Sequence, residues 1–233
     1  MIFISAPFGN YLKFKNAISV TGTWTVQPRP GRLKQIIKTL RYTKQGWRNK
    51  LGLRNPGLHA GMLKTSYNSI LSMAAIDPAD WTKIQMAIST QRNIELNVSC
   101  PNLDSHDDTT TWESFEKFPQ KMIGDYCIVK IPPTSSEALI DKIVDMGYKQ
   151  IHASNTLPTD KGGLSGKTLV PYTLKIVEYI KNKHSNVEVV AGGGITTPQD
   201  AQTYYNAGAD HISLGSVCFT PWKIKKIINE SRR

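Results

Sequence analysis

The chain has 233 residues, of which 39% are hydrophobic and 20% charged, and this composition excludes a disordered or collagen-like protein. Its length suits one domain, which we expect to span residues 1–233. It carries 29 lysines and arginines against 18 aspartates and glutamates, a net charge of +11. Because the basic residues are scattered along the chain, we interpret them as a solvated surface and expect no nucleic-acid partner.

No apolar run approaches the length of a transmembrane helix, and the first residues lack the basic and apolar regions of a signal peptide. The three cysteines, Cys100, Cys127 and Cys218, show neither a disulfide framework nor the spacing of a zinc site. These features predict a cytoplasmic protein with no metal and no membrane partner.

Short apolar runs alternate with helical patterns along the chain, as expected for strands that are covered on both faces. Eight such strands fit a (β/α)8 barrel, which takes roughly 250 residues. A doubly wound sheet is the alternative, but its glycine-rich turn would follow the first strand, not the last two. We therefore predict an α/β fold, a (β/α)8 TIM barrel, with strands at Ile2–Ser5, Ala17–Val20, Ile70–Met73, Ile94–Val98, Cys127–Ile131, Gln150–Ala153, Val187–Ala191 and His211–Leu214.

Capping residues mark several helices between these strands. The predicted starts are Asp77-Pro78, Thr110 with Glu113, Thr134 with Glu137, Thr197-Pro198 and Thr220-Pro221, and the predicted ends are Gly147 and Gly208. Only eleven residues separate Ser5 from Ala17, too few for a helical crossover, so we expect the first helix to be shortened or missing. Gly31–Leu40 has helical spacing although it lies where a loop is expected.

Glycine-rich turns follow the last two predicted strands, at Gly192–Gly194 and at Gly215-Ser216. Backbone without side chains lets N–H groups approach an anion, and a helix beginning at Thr197 would add its N-terminal dipole. These turns predict a phosphate site; glycines that only form tight turns are the alternative. Asp160–Lys167 looks like a further phosphate loop, but one residue too few separates its glycines for a nucleotide-binding P-loop.

Polar side chains end three other strands. Asn97 and Asn102 flank Cys100, so two amides suited to the edge of a planar ring stand beside a thiol that is a candidate base or nucleophile. Lys130 would stabilise a developing anion, and Asn155-Thr156 add further hydrogen-bonding groups. From these residues alone, a structural cysteine and solvated strand ends are equally good interpretations.

In their order along the chain, the motifs resemble those of the dihydroorotate dehydrogenase family, FMN enzymes built on a (β/α)8 barrel. The resemblance extends from Ser5 to about Lys223. It is carried by Thr21–Thr25, Pro28–Gly31, Asn49–Gly57, Glu95–Asn102, Lys130–Pro133, Asn155-Thr156, Gly162–Gly166 and Ala191–Ile195.

The resemblance implies that the chain oxidises dihydroorotate to orotate, a step of pyrimidine biosynthesis. Cys100 matches the base of the soluble class, which takes the C5 proton while the C6 hydride passes to flavin N5. Lys130 matches the lysine at the flavin N1/O2 edge, and Leu103–Thr111 would form a lid. The residues matching pyrimidine contacts are Asn49, Asn97, Asn102, Asn155 and Thr156. Those matching FMN contacts are Ala6, Gly22, Thr23, Lys130, Ser165, Gly166, Gly193, Gly194, Gly215 and Ser216.

One departure concerns the lysine that pairs with the orotate carboxylate in this family. It is expected at Gly22 in the soluble class, or near Asn10 in the quinone-using class, so Lys13 or Arg54 would have to replace it. The alternatives are therefore an FMN barrel reductase acting on another uracil-like ring, or a degenerate, non-catalytic barrel. The expected partner is a small-molecule substrate, dihydroorotate or a similar compound, and a homodimer is left open.

Overall fold

The structure is a computed structural model in which residues 1–89, 91–98, 115, 118 and 124–231 are described. The strands are β1 (Ile2–Ile4), β2 (Ile18–Trp24), β3 (Arg41–Thr43), β4 (Gly46–Asn49), β5 (Ile70–Met73), β6 (Ile94–Asn97), β7 (Cys127–Ile131), β8 (Gln150–Ala153), β9 (Leu157–Thr159), β10 (Gly162–Ser165), β11 (Glu188–Gly192) and β12 (His211–Leu214). The α-helices are α1 (Arg32–Thr39), α2 (Leu58–Lys64), α3 (Ala79–Ala87), α4 (Glu137–Asp145), α5 (Val170–Lys183), α6 (Pro198–Asn206) and α7 (Pro221–Glu230).

Eight parallel strands close into a barrel in the order β1-β12-β11-β8-β7-β6-β5-β2. Closure occurs at β1, where Ile2 pairs with Ile212 on one side and Phe3 pairs with Ile18 on the other. All eight predicted strands are therefore confirmed as the strands of a (β/α)8 barrel, and the doubly wound alternative is wrong.

The connection between β1 and β2 is a single 3-10 turn, Phe8–Asn10, which confirms the missing first helix. The turn lies directly on β2, because a Cβ on Gly9 would collide with the backbone of Val20. The segment after β2 forms α1, as its helical spacing indicated. Among the described residues, no helix is both long and apolar enough to cross a membrane.

Two of the helix-start predictions need correction. Helix α4 is capped by Ser136, whose hydroxyl accepts from the Leu139 N–H at 3.2 Å. Thr134 lies outside that helix, in a turn that precedes it. In this turn the Ser135 N–H donates to the Pro132 carbonyl. Thr220 begins α7, but its hydroxyl donates back to Val217 and makes no cap bond.

The remaining predicted helix boundaries agree with the structure where it describes them. Thr197 caps α6 in a capping box with Asp200, and α3 begins at Ala79 directly after Asp77-Pro78. Gly147 and Gly208 end their helices with φ of +92° and +102°, a conformation that glycine adopts without strain. The proposed start at Thr110 and Glu113 lies outside the described residues.

Side chains alternate along the barrel strands, and this alternation separates an apolar floor from a polar upper layer. The floor inside the barrel is a buried cluster of Phe3, Val20, Ile70, Ile128 and Val190. Two residues further along the same strands, towards their carboxyl ends, stand Ser5, Gly22, Ser72, Lys130 and Gly192. The change from large apolar to small or polar residues leaves room above the floor.

A second, antiparallel sheet of four strands, in the order β3-β4-β10-β9, lies beside that upper layer. It joins two connections far apart in sequence, since Leu164 pairs with Arg48 and Gly163 with Asn49. Helix α1 is tied to it by Gln35, whose side chain donates to the Lys50 carbonyl at 2.6 Å. The glycine-rich Asp160–Lys167 segment contains the turn between β9 and β10 and is followed by a 3-10 turn, so it lacks the strand–loop–helix form of a P-loop.

Candidate active site

Two joined chambers lie at the carboxyl ends of the barrel strands. The larger holds about 270 Å³ and the smaller about 140 Å³. They share a boundary formed by Ala6, Pro7, Arg32, Asn49, Leu51, Lys130, Asn155 and Thr156. The carboxyl end is where (β/α)8 barrels carry their active sites, so the chambers are the candidate active site.

The structure brings most of the sequence-predicted site residues to these chambers. Those lining the larger chamber are Ala6, Asn49, Lys130, Asn155, Thr156, Ser165, Gly166, Gly193, Gly194, Gly215 and Ser216. Those lining the smaller chamber include Gly22, Thr23 and Asn97. Cys100, Asn102 and the Leu103–Thr111 segment lie outside the described residues.

The glycine turns at one end of the larger chamber are suited to an anion. In the described part of the chain, the N–H groups of Gly193 and Gly194 donate to no protein acceptor, while the Gly193 carbonyl is held by the Tyr204 hydroxyl at 2.6 Å. Helix α6 contributes less than predicted, because the Asp200 carboxylate already accepts from the Thr196 and Thr197 N–H groups at its start. The anion site therefore depends on the turns themselves.

Gly215 shows that this end has space for a ligand group. A Cβ on Gly215 would have only the Ser5 hydroxyl within 4 Å, at 3.9 Å, and Gly215 lines the larger chamber. Gly193 differs, because its φ is +105° and a Cβ there would meet the Leu169 side chain at 2.7 Å. The bare backbone and the Ser165 and Ser216 hydroxyls, with Lys130 lining the same chamber, fit a phosphate-bearing cofactor such as FMN.

Lys130, in the polar upper layer of the barrel, lies close to a buried carboxylate. Lys130 is 7% exposed, Glu95 1% and His152 2%, so three titratable side chains share the barrel interior. Glu95 accepts from His152 Nδ1 at 2.6 Å and from the Ser72 hydroxyl at 2.7 Å. Although burial opposes ionisation, the charge of Lys130 and the bonds from His152 and Ser72 lower the pKa of Glu95 to about 2.

A chain of hydrogen bonds links this carboxylate to the smaller chamber. The Ser72 hydroxyl lies 3.0 Å from that of Thr23, which accepts from the Asn97 amide at 3.3 Å. The Asn97 oxygen accepts from the Asn155 amide at 3.1 Å, and the Asn155 oxygen accepts from the Thr156 N–H at 2.8 Å. The amides are thus oriented by the protein before any ligand binds.

Sequence reasoning missed Arg32, which lines both chambers, and named Arg54, which lines the smaller one, only as a substitute cation. Arg32 is the first residue of α1, so the helical spacing of that segment was the available signal. Lys13 does not take the expected place: its ammonium donates to the Gly9 carbonyl at 2.9 Å, and it lines neither chamber.

The closed barrel with ligand chambers at its carboxyl end is the architecture of a (β/α)8-barrel enzyme. The sequence matches the family model for dihydroorotate dehydrogenase over residues 7–232, and the chain belongs to this family of oxidoreductases.

Relatives of known name agree with this assignment. The chain is 23% identical to dihydroorotate dehydrogenase A (fumarate) of Lactiplantibacillus plantarum, over 92% of this chain and 82% of that protein. It is 27% identical to the catalytic subunit of dihydroorotate dehydrogenase B (NAD(+)) of Thermotoga petrophila, over 94% of this chain and 91% of that subunit. The ligand-free dihydroorotate dehydrogenase of Eimeria tenella has a similar fold, with a TM-score of 0.70, 20% identity and coverage of 91% and 76%.

Proposed function

We propose that the chain is an FMN-dependent enzyme that oxidises dihydroorotate to orotate in pyrimidine biosynthesis. The observation that carries this proposal is the pair of joined chambers, which meet at Lys130, Asn49 and Asn155. Among the described residues that line them, none is an aspartate or glutamate. Such a site favours two anionic ligands placed against each other, a phosphate-bearing cofactor and a carboxylated ring.

In this proposal FMN, when bound in the larger chamber, supplies the acceptor for the substrate hydride. Gly193, Gly194, Gly215 and Ser216 hold its phosphate, with the further FMN contacts predicted above. Lys130 supplies positive charge next to the ring system, and the buried Glu95 carboxylate interacts with it electrostatically.

The smaller chamber receives the pyrimidine ring. The amides of Asn49, Asn97 and Asn155 match the alternating donors and acceptors along the edge of such a ring, with Thr156 beside them. Asn102 and Cys100, which follow β6 in sequence, complete the assignment: Asn102 is a further amide and Cys100 the base that takes the C5 proton. Strands β4 and β10, whose residues Trp47, Asn49 and Ser165 line the larger chamber, help to exclude water.

The direct test is to mix the purified flavin-loaded protein with dihydroorotate without oxygen and to follow the absorbance of oxidised flavin. We expect this absorbance to disappear. A protein whose flavin is reduced by dithionite but not by dihydroorotate would contradict the proposed substrate and favour another uracil-like ring.

Filling the space at Gly215 is expected to exclude the cofactor. In Gly215→Leu the side chain would enter the larger chamber, because only the Ser5 hydroxyl lies within 4 Å of the new Cβ. We expect the FMN content of the purified protein to fall below one tenth of the wild-type value. The apoprotein should keep its melting temperature, and full occupancy with FMN would place the phosphate elsewhere.

Thiol labelling separates Cys100 from the other two cysteines. Burial raises the pKa of both Cys127 and Cys218 to about 12, so neither is a thiolate near neutral pH. We expect iodoacetamide at pH 7.5 to alkylate Cys100 first, as read by peptide mass spectrometry, and orotate to protect it. Labelling of Cys127 at the same rate, or no protection by orotate, would count against a position in the site.

A further inference from the structure

We propose that Arg54 and Arg32 together bind the carboxylate of the substrate and so determine the specificity of the site for an anionic ring. The inference rests on the proposed function, since it takes the smaller chamber as the ring site. It gives a role to Arg32 and Arg54, two residues that the proposed function does not use.

The lining of the smaller chamber has two chemically distinct parts. Its neutral polar groups are the amides and hydroxyls of Asn49, Asn97, Asn155, Thr23 and Thr156. Its charged groups, among the described residues, are Arg32, Arg54 and Lys130, and no described carboxylate lines the chamber with them. A ligand that satisfies both parts is a planar amide-like ring with a negative substituent.

The charge of Lys130 is already balanced within the protein. Glu95 lies beneath it, almost fully buried, and its pKa is lowered to about 2 partly by the charge of Lys130. A ligand carboxylate in the chamber is therefore stabilised most by cations that have no carboxylate partner within the protein.

Arg32 and Arg54 are such cations. In the part of the chain that the structure describes, neither guanidinium forms an ion pair with a carboxylate. One nitrogen of Arg54 donates to the Pro30 carbonyl at 3.2 Å, which fixes the side chain and leaves its other N–H groups. Arg32 stacks over the Tyr11 ring, 5.6 Å from its centroid, and this contact leaves all of its N–H groups for a ligand.

The surrounding charge favours the same ligand. Residues 1–76 contain no aspartate or glutamate, whereas Arg29, Arg32, Lys50 and Arg54 all lie in this stretch. This stretch therefore contributes only positive side-chain charge around the chamber, which favours the approach of an anion. Arginine is also suited to the role, because its planar fork of N–H groups matches the two oxygens of a carboxylate.

The test compares two ligands on the flavin-loaded protein by isothermal titration calorimetry: orotate and its neutral 6-carboxamide. We expect the wild-type protein to prefer orotate. Arg54→Gln and Arg32→Gln should each weaken orotate binding about tenfold, which corresponds to the loss of one hydrogen bond to a charged group. The double variant should weaken it about a hundredfold. Binding of the carboxamide should change less than threefold.

Arg41→Gln is the matched control, because Arg41 lies on β3 beside α1, is exposed, and lines neither chamber. It removes the same charge and should leave both affinities unchanged. Arg54→Lys, which keeps the charge but not the fork, should fall between wild type and Arg54→Gln. If the double variant, with a wild-type melting temperature, keeps the preference for orotate, the arginine assignment is wrong although the proposed function stands. A wild-type protein that binds neither ligand would overturn both.

Discussion

Replacing Cys100 with alanine is expected to slow the reduction of the bound flavin by dihydroorotate by about 10²–10⁴-fold, the usual contribution of a general base. The variant should keep its fold and its FMN, because the glycine turns that hold the phosphate lie on other strands. The rate is measured by stopped-flow absorbance under anaerobic conditions, with saturating dihydroorotate.

Two comparisons separate a catalytic cysteine from a structural one. Reoxidation of dithionite-reduced flavin by an artificial acceptor should be unchanged in Cys100→Ala, since that half-reaction needs no base. Cys127→Ala is the matched control: its thiol is at the start of β7, at the opposite end of the barrel strand from the chambers. A loss of less than tenfold in Cys100→Ala, or a parallel loss in both half-reactions, would show that the base is another group.

Cys100→Ser should retain part of the activity, because the family resemblance implies that the quinone-using class carries serine at this position. Its pH optimum should be higher, since a hydroxyl is harder to deprotonate than a thiol.

The barrel could be predicted from sequence because each of its strands carries its own signal. A strand covered on both faces needs a continuous apolar run, and runs such as Ile70–Met73 and Val187–Ala191 are recognisable without their partners. The polar layer was also visible, as residues that interrupt these runs near their carboxyl ends, such as Lys130 and Asn97.

The second sheet, β3-β4-β10-β9, could not be predicted in the same way. Strands β3 and β4 are short, and residues such as Tyr42 are exposed, so no apolar run marks them. The pairing of β4 with β10 joins segments more than 100 residues apart, and nothing local in either segment indicates the other. Asn49 and Ser165 were therefore identified only through the family resemblance, and Arg32 was not identified at all.

The buried polar network was hidden for a different reason. Glu95 is surrounded by apolar residues within its strand, and its partner His152 lies on a strand 57 residues away. The sequence gives no sign that the two side chains meet. Only the closed barrel, which turns both inward, shows that a carboxylate, an imidazole and an ammonium share one interior.

This network yields the second large prediction. Glu95→Gln keeps the shape of the side chain but removes its charge, so Lys130 loses the buried carboxylate that interacts with it electrostatically. Removing one partner of a buried ion pair usually costs about 3–5 kcal/mol, and we expect a loss of this size in the free energy of unfolding at pH 7. The measurement is urea unfolding followed by tryptophan fluorescence.

Glu188→Gln is the matched control. Glu188 also faces a histidine, His211, at 3.5 Å, but its side chain is 48% exposed. Exposed pairs contribute only about 0–1 kcal/mol, so this variant should be nearly as stable as wild type. Equal losses in the two variants would mean that burial does not strengthen the Glu95 interaction.

The effect of Glu95 must also depend on pH, in a direction that its pKa fixes. Because the folded-state pKa, about 2, lies below the ordinary value of 4.5, the carboxylate stabilises the folded state above pH 4.5, and this contribution is lost as the pH falls towards 2. The difference between wild type and Glu95→Gln should therefore be full at pH 7 and shrink between pH 4.5 and 2. His152 also makes the wild-type protein less stable as the pH falls. Burial lowers the pKa of His152, so acid has to charge the imidazole inside the barrel. A stability difference that stays constant from pH 7 to pH 3 would show that Glu95 acts by packing and not by charge.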